Sequence, residues 1–236
     1  MDLQLNGRRA IVTGGSKGIG LATARALAAE GARVAVVARG VEALGAAARE
    51  LGGIAVPADT GSDESVTAMV AAVVETFGGV DILVNAAANV NQGGFGEETL
   101  EEQLNVKVRG YLRCARAVAP YMVGQGWGRI INVSGLAARQ TGSVVGSVRN
   151  VAVAALTKNL ADELGPAGIN VTVVHPGPTI TERQPPASAV AHVSIGRAIT
   201  AAEVADVITF LASPRSVSIN GDAIAVGGGT KGAIHY

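Results

Sequence analysis

Thr13-Gly14-Gly15-Ser16-Lys17-Gly18-Ile19-Gly20 comes directly after an apolar run, Ala10-Ile11-Val12, and opens an alanine-rich stretch of helical pattern. Glycines at 14, 18 and 20 permit a sharp strand-to-helix turn, let backbone approach a pyrophosphate and leave room for the helix to pack on the strand. The helix start then offers free N–H groups and a partial positive charge to phosphates. Placed between a strand and a helix, this glycine pattern predicts dinucleotide binding.

Outward from that turn, short runs rich in valine and isoleucine alternate with longer helical patterns. Strands are expected near 8–13, 33–38, 54–57, 80–84, 129–134, 169–175 and 222–226. Helices are expected over Val41 to Leu51, Asp63 to Phe77, Glu98 to Gly124, Ser147 to Leu164 and Ala201 to Ala212. This alternation reads as βαβ units and a parallel sheet covered on both faces. Asp63 is read as an N-cap, Ser143 and Ser147 as turn and N-cap residues, and Gly165-Pro166 as a helix stop. The stretch Pro176 to Thr200 has no clean period and is read as a lid over the site, about 177–200.

The chain has 236 residues, 48% hydrophobic and 16% charged, enough for one large core, so residues 1–236 are expected to form a single domain. Lys+Arg and Asp+Glu are both 19, which gives no electrostatic footprint for nucleic acid or an anionic membrane surface. One cysteine, Cys114, excludes an internal disulfide and multi-cysteine metal sites, and no metal is expected. No basic-then-apolar leader pattern opens the chain, and no run of about 18 residues is free of charges or breakers, so a cytoplasmic protein outside the membrane is expected.

Further segments lie in a telling order: Asp59-Thr60, Asp81-Ile82-Leu83-Val84-Asn85-Ala86-Ala87, Asn105 in a long helix, Arg129-Ile130-Ile131-Asn132-Val133-Ser134, Ala154-Ala155-Leu156-Thr157-Lys158, His175-Pro176-Gly177-Pro178 and Asn220-Gly221 to Gly227-Gly228-Gly229. With the glycine turn, they resemble the short-chain dehydrogenase/reductase family from end to end. The resemblance implies an α/β Rossmann-type, doubly wound, parallel seven-stranded sheet with a nicotinamide cofactor at the strand-order switch point. It also implies homodimers or homotetramers built through the two long helices.

Carried over by that resemblance, Gly14, Ser16, Lys17, Gly18, Ile19 and Gly20 match the phosphate turn and Asp59 the adenine contact. Asn85 with Ala86 matches the wall beside the adenosine ribose, and Pro176, Gly177 and Thr181 the part that holds the nicotinamide amide. An NAD-preferring member places a carboxylate at the end of the second strand. Val37-Ala38-Arg39 has none, and Arg39 with Lys17 resembles the basic pair used for a 2′-phosphate, so NADP(H) is expected over NAD(H).

The chemical centre departs from the family. Its reaction uses a serine, a tyrosine and a lysine four residues after the tyrosine. Registering on Ala154-Ala155-Leu156-Thr157-Lys158 and on Arg129 to Val133 puts Gly135, Gly146 and Asn150 at those three positions. The family's Asn-Asn-Ala-Gly is here Asn85-Ala86-Ala87-Ala88. Losing a placed general acid costs about 10²–10⁴ in rate, while juxtaposing donor and carbonyl still supplies roughly 7–11 kcal/mol, so hydride transfer is slowed and not forbidden. Asn105, Ser134 and Asn150 are the candidate catalytic residues. Arg149 is read as surface or interface, His175 as structural, and His192 as an exposed lid residue without a role, with swinging in as a surrogate acid left open beside that. Pro185, Pro186, Val190 and Ile195 on the lid fit an apolar ligand, or equally an anchor of the lid to the core.

The expected function is NADP(H)-dependent carbonyl reduction or alcohol oxidation on a small apolar substrate. A redox-silent nucleotide-binding homologue with a structural or regulatory role, and non-redox elimination or cyclisation in the same pocket, stay open beside it.

Overall fold

The computed structural model describes residues 1–88 and 97–232, with the backbone alone at 97 and 98. Seven strands form one parallel sheet: β1 (Arg9–Thr13), β2 (Arg33–Ala38), β3 (Ile54–Pro57), β4 (Ile82–Asn85), β5 (Gly128–Val133), β6 (Ile169–Pro176) and β9 (Ala223–Val226). Their spatial order is β3-β2-β1-β4-β5-β6-β9, the doubly wound arrangement that the family resemblance implies. The order reverses between β1 and β4, and a crevice opens there beyond the strands' C-terminal ends.

The apolar runs are continuous because both sheet faces are covered. Successive residues point to opposite faces. Ala10 and Val12 of β1, with Val84 of β4 and Ile131 of β5, join Leu27, Ile208 and Leu211 on one side. Ile11, Leu83 and Ile130 join Val70, Val118 and Met122 on the other. Each fully buried side chain of this size contributes about 1.5–3 kcal/mol.

Two glycines explain why the turn after β1 is so tight. Gly14 has φ +69°, and an added Cβ would stand 2.7 Å from the Ala86 carbonyl oxygen. A Cβ on Gly20 would stand 2.2 Å from the Gly14 carbonyl oxygen, so helix α1 (Gly18–Ala29) closes directly onto the turn.

Helices α2 (Val41–Leu51) and α3 (Asp63–Phe77) lie where their periodicity predicts. The cap of α3 is Ser62 rather than Asp63: its hydroxyl accepts from the Ser65 N–H at 3.2 Å, and Asp63 is the first helical residue. Helix α6 (Val144–Leu164) starts three residues earlier than Ser147, because Ser143 accepts from the Gly146 N–H at 3.0 Å. Ser147 bonds the Gln140 carbonyl instead.

The helix expected over Glu98 to Gly124 is three pieces: α4 (Glu97–Gln103), a π-helical turn at Leu104–Arg109 and α5 (Gly110–Gln125). The wider turn rotates α5 relative to α4, and such turns recur at functional sites. The segment after β6 carries β7 (Thr179–Ile180), the short helix α7 (Ala187–Val190) and β8 (Ile199–Thr200), where β7 pairs with β8 in parallel. It ends in α8 (Ala201–Leu211), capped reciprocally by Thr200 and Glu203. Among the described residues no helix is long and apolar enough to cross a membrane.

Candidate active site

A cavity of about 1660 Å³ runs along the crevice, from the glycine turn to the ends of β5 and β6. Segment 177–200 forms one wall through Pro178, Thr181, Glu182 and Val193.

At one end, Gly14, Ser16, Lys17, Gly18, Ile19 and Gly20 all line the cavity, as do Asp59 and Ala86. The Gly18 N–H donates to Glu182 Oε1 at 2.8 Å, so a carboxylate stands where helix α1 presents its positive end. That bond, above all, holds the Glu182 carboxyl below the ordinary carboxylate range. An anion already fits this cradle, and a pyrophosphate oxygen has the same requirements. Arg39 is exposed at the rim, where β2 ends without a carboxylate, and makes no ion pair among the described residues. Asn85 does not line the cavity: its amide is buried and donates to Asn132 Oδ1 at 3.0 Å, which leaves Ala86 as the wall. Asp59 turns one carboxylate oxygen to the Gly61 N–H at 2.9 Å.

At the other end, Ser134, Gly135, Asn150, Pro176, Gly177 and Thr181 line the cavity. The Ser134 hydroxyl is committed to the Asn150 carbonyl at 3.2 Å. A Cβ on Gly135 would lie 3.1 Å from Asn150 Nδ2, so the missing side chain is what lets Asn150 fold in there. Gly146 is not on the lining; a Cβ on it would press on Ser143 Oγ at 3.0 Å, the atom that caps the helix.

Asn105 requires correction. It does not reach the cavity: its Oδ1 accepts from Arg113 Nη2 at 2.9 Å and its Nδ2 faces the Gly61 carbonyl at 3.4 Å, on the α3 side of the sheet. The residue the π-helical turn delivers is Lys107. It is 5% exposed, lines the cavity, and its Nζ donates to the Ser134 carbonyl at 3.0 Å. One turn on, the buried Tyr111 hydroxyl donates to the preceding carbonyl, Val133 O, at 2.9 Å. Burial, reinforced by the Arg149 guanidinium, pushes Lys107 down to about 7.

Arg149 also needs correcting, for it lines the cavity and bonds Gln103 Oε1. His175 is buried and held down to about 4, first by burial and then by the Arg139 and Lys107 charges. His192 lines the cavity from the lid, whereas Pro185, Pro186, Val190 and Ile195 do not. The signal for Lys107 was present in the sequence: positions 107, 111, 114, 118 and 122 form one helical stripe, and a lysine on a buried stripe marks a perturbed group.

Comparison with known proteins fits this geometry. Residues 14–231 match the family model described as Enoyl-(Acyl carrier protein) reductase. The chain is 39% identical to the short-chain reductase protein NovJ of Streptomyces niveus, over 93% of this chain and 92% of that protein. Among solved structures, L-sorbose reductase from Gluconobacter frateurii, complexed with NADPH and L-sorbose, superposes with TM-score 0.93 at 31% identity, over 99% of this chain and 100% of that one. A short-chain dehydrogenase from Burkholderia cenocepacia in complex with NADP superposes with TM-score 0.89 at 36% identity, covering 96% and 98%. Sheet order, glycine turn and these matches along nearly the whole chain lead to one conclusion: the protein belongs to the short-chain dehydrogenase/reductase family.

Proposed function

We propose that the protein is an NADP(H)-dependent oxidoreductase that reduces a carbonyl, or oxidises the matching alcohol, on a small molecule. The observation that carries this reading is the pairing of Lys17 and Arg39 at the cofactor end of a cavity whose far end is reached by Lys107. A planar guanidinium that makes no ion pair among the described residues suits a 2′-phosphate better than the free ribose hydroxyls of NAD. The relatives solved with NADP and NADPH support the same choice.

A bound nicotinamide would supply a hydride. The chain's own part is to hold the pyrophosphate on the α1 turn, to set the nicotinamide against Pro176, Gly177 and Thr181, and to position the carbonyl near Ser134-Gly135. Substrate-side lining mixes Leu136, Ala137 and Val193 with Arg139, Gln140 and Arg149. This supports a small carbonyl compound with an apolar body and a polar or acidic substituent, rather than the wholly apolar ligand expected from the lid.

Exposed apolar residues on the long helices support assembly with a second copy of the chain, as the resemblance implies. Val144, Val148 and Val151, at i, i+4 and i+7 on α6, are 55%, 45% and 50% exposed, and Tyr121 and Val123 on α5 are exposed as well. Light scattering tests this, and a monomer at micromolar concentration refutes it.

The function is tested by fluorescence titration with NADPH and NADH, then by turnover of a ketone panel. NADPH selectivity above tenfold with turnover supports the proposal. Equal affinities sink the cofactor assignment, and tight binding without turnover on any ketone returns the redox-silent reading.

A further inference from the structure

We propose that Lys107 is the proton donor of this reaction, delivered by the π-helical turn between α4 and α5 in place of the tyrosine that α6 lacks. The inference rests on the oxidoreductase reading above.

Among the described residues Lys107 is the one lysine in the buried set, and its amino group lies at the end of β5, beside the cavity wall formed by Ser134 and Gly135. An ammonium has three N–H donors and no acceptor. One is spent on Ser134 O, so two remain for the cavity. Asn150, which occupies the position of the family's lysine, lines the same wall but carries no proton to give. Lys107 thus brings the missing charge and proton to that wall from a different helical segment.

The groups facing Lys107 favour release of that proton. Arg149 comes from α6 and the neutral His175 from β6, while Tyr111 below spends its proton on Val133 O. Among the described residues the carboxylates on the cavity lining, Asp59 and Glu182, are at the cofactor end. With no carboxylate beside it among the described residues, burial and Arg149 leave ammonium and amine both populated near neutral pH, the condition for efficient general acid catalysis. A lysine kept on a stripe where methionine would pack is costly for stability, which is the pattern of a functional residue.

The step balances simply. A bound reduced nicotinamide would supply the hydride, with its electron pair, for the new C–H bond, which leaves the carbonyl π pair on oxygen. The Lys107 N–H bond breaks, its electron pair stays on nitrogen, and the proton forms the O–H bond. The amine then takes a proton from water entering the cavity.

The test begins with wild-type reduction of acetoacetate, ethyl acetoacetate, cyclohexanone and phenanthrenequinone by NADPH. No turnover of any probe overturns the oxidoreductase reading itself. With turnover, Lys107→Ala is expected to lower kcat by about 10²–10⁴, to leave the NADPH Kd within about tenfold, and to regain rate with added methylamine or ethylamine. Lys107→Arg, charged but unable to release a proton, is expected to be as slow as Lys107→Ala; recovery in Lys107→Arg assigns a purely electrostatic role and overturns the proposal. Turnover preserved in Lys107→Ala overturns it too, and if His192→Ala is then the dead variant the acid belongs to the lid. A readout free of turnover is the pH dependence of unfolding. A lysine titrating near 7 when folded and near 10.5 when unfolded makes stability rise between those pH values, and Lys107→Met is expected to flatten that rise. An unchanged slope overturns the proposal.

Discussion

The two ends of the cavity are assembled from different materials. At the phosphate end the contacts come from backbone: the Gly18 N–H, the close approach of Gly20 to Gly14, and the wall at Ala86. At the reaction end they come from side chains: Lys107 on Ser134 O, Ser134 on Asn150 O, and Arg149 on Gln103. A backbone cradle has few sequence solutions, since only glycine tolerates those contacts, so the turn keeps the family's pattern. A side-chain site is free to draw its functional group from another element, provided the atom arrives at the same place. Under the Lys107 proposal, that is how a chain whose sequence register puts Gly135, Gly146 and Asn150 at the family's three positions still completes its site.

The sharpest way to break this comparison is to give the backbone cradle a side chain. Gly20→Val places methyl-bearing carbon on an oxygen that already lies 2.2 Å from an added Cβ. We expect NADPH affinity to fall more than about 100-fold, some 2.7 kcal/mol or more, with a lowered Tm. Titration within threefold of wild type would show that the turn does not carry the phosphates.

The side-chain end has its own sensitive point. His175 is buried with Nδ1 unpartnered among the described residues, and burial is the main cause holding it to about 4. Its folded pKa lies below the unfolded value of about 6.5, so protonation favours unfolding. The stability it permits is complete above pH ~6.5 and is lost as pH falls toward 4, amounting to roughly 3 kcal/mol. Denaturant melts at pH 7, 5 and 4 check this, and His175→Gln is expected to lose less stability over that range. Parallel losses in both proteins would place the acid sensitivity elsewhere.

Cofactor choice is the next largest effect. Arg39→Asp exchanges the guanidinium for the carboxylate that suits ribose hydroxyls. NADPH is expected to weaken about 10- to 100-fold, 1.4 to 2.7 kcal/mol, while NADH binding improves. No change in the ratio would assign Arg39 to bulk solvent.

The same contrast explains how much was legible in the chain. Helices α2 and α3 and the sheet strands were readable because local periodicity and two-sided burial agree. The boundary errors are cap effects: Ser62 and Ser143 supply the capping oxygens, and a neighbouring residue of similar chemistry looks equally suitable. The π-helical turn at Leu104–Arg109 was not readable, because the ladder shift depends on how α4 and α5 pack against other elements. That shift decided the site: Asn105 went to Arg113 and Gly61, and Lys107 went to the cavity. Lys107 was nonetheless visible as a charge on an apolar stripe, a signal that searching for the family's own residues passes over.

The smallest effect tests whether the phosphate end is truly backbone alone. Glu182 is exposed, yet its carboxylate holds the Gly18 N–H, the donor a pyrophosphate would need. Cofactor and Glu182 therefore compete for one helix terminus, and that same N–H, by lowering the carboxyl's pKa, keeps it ionised further into acid than a free glutamate. Removing a charge at such a position is worth about 0.3–1 kcal/mol. Glu182→Gln is thus expected to tighten NADPH binding roughly two- to fivefold, with the gain shrinking in acid as the wild-type carboxylate is neutralised. Weaker binding in the variant would mean that the carboxylate positions segment 177–200 for the cofactor, and the phosphate end would then depend on a side chain as the reaction end does.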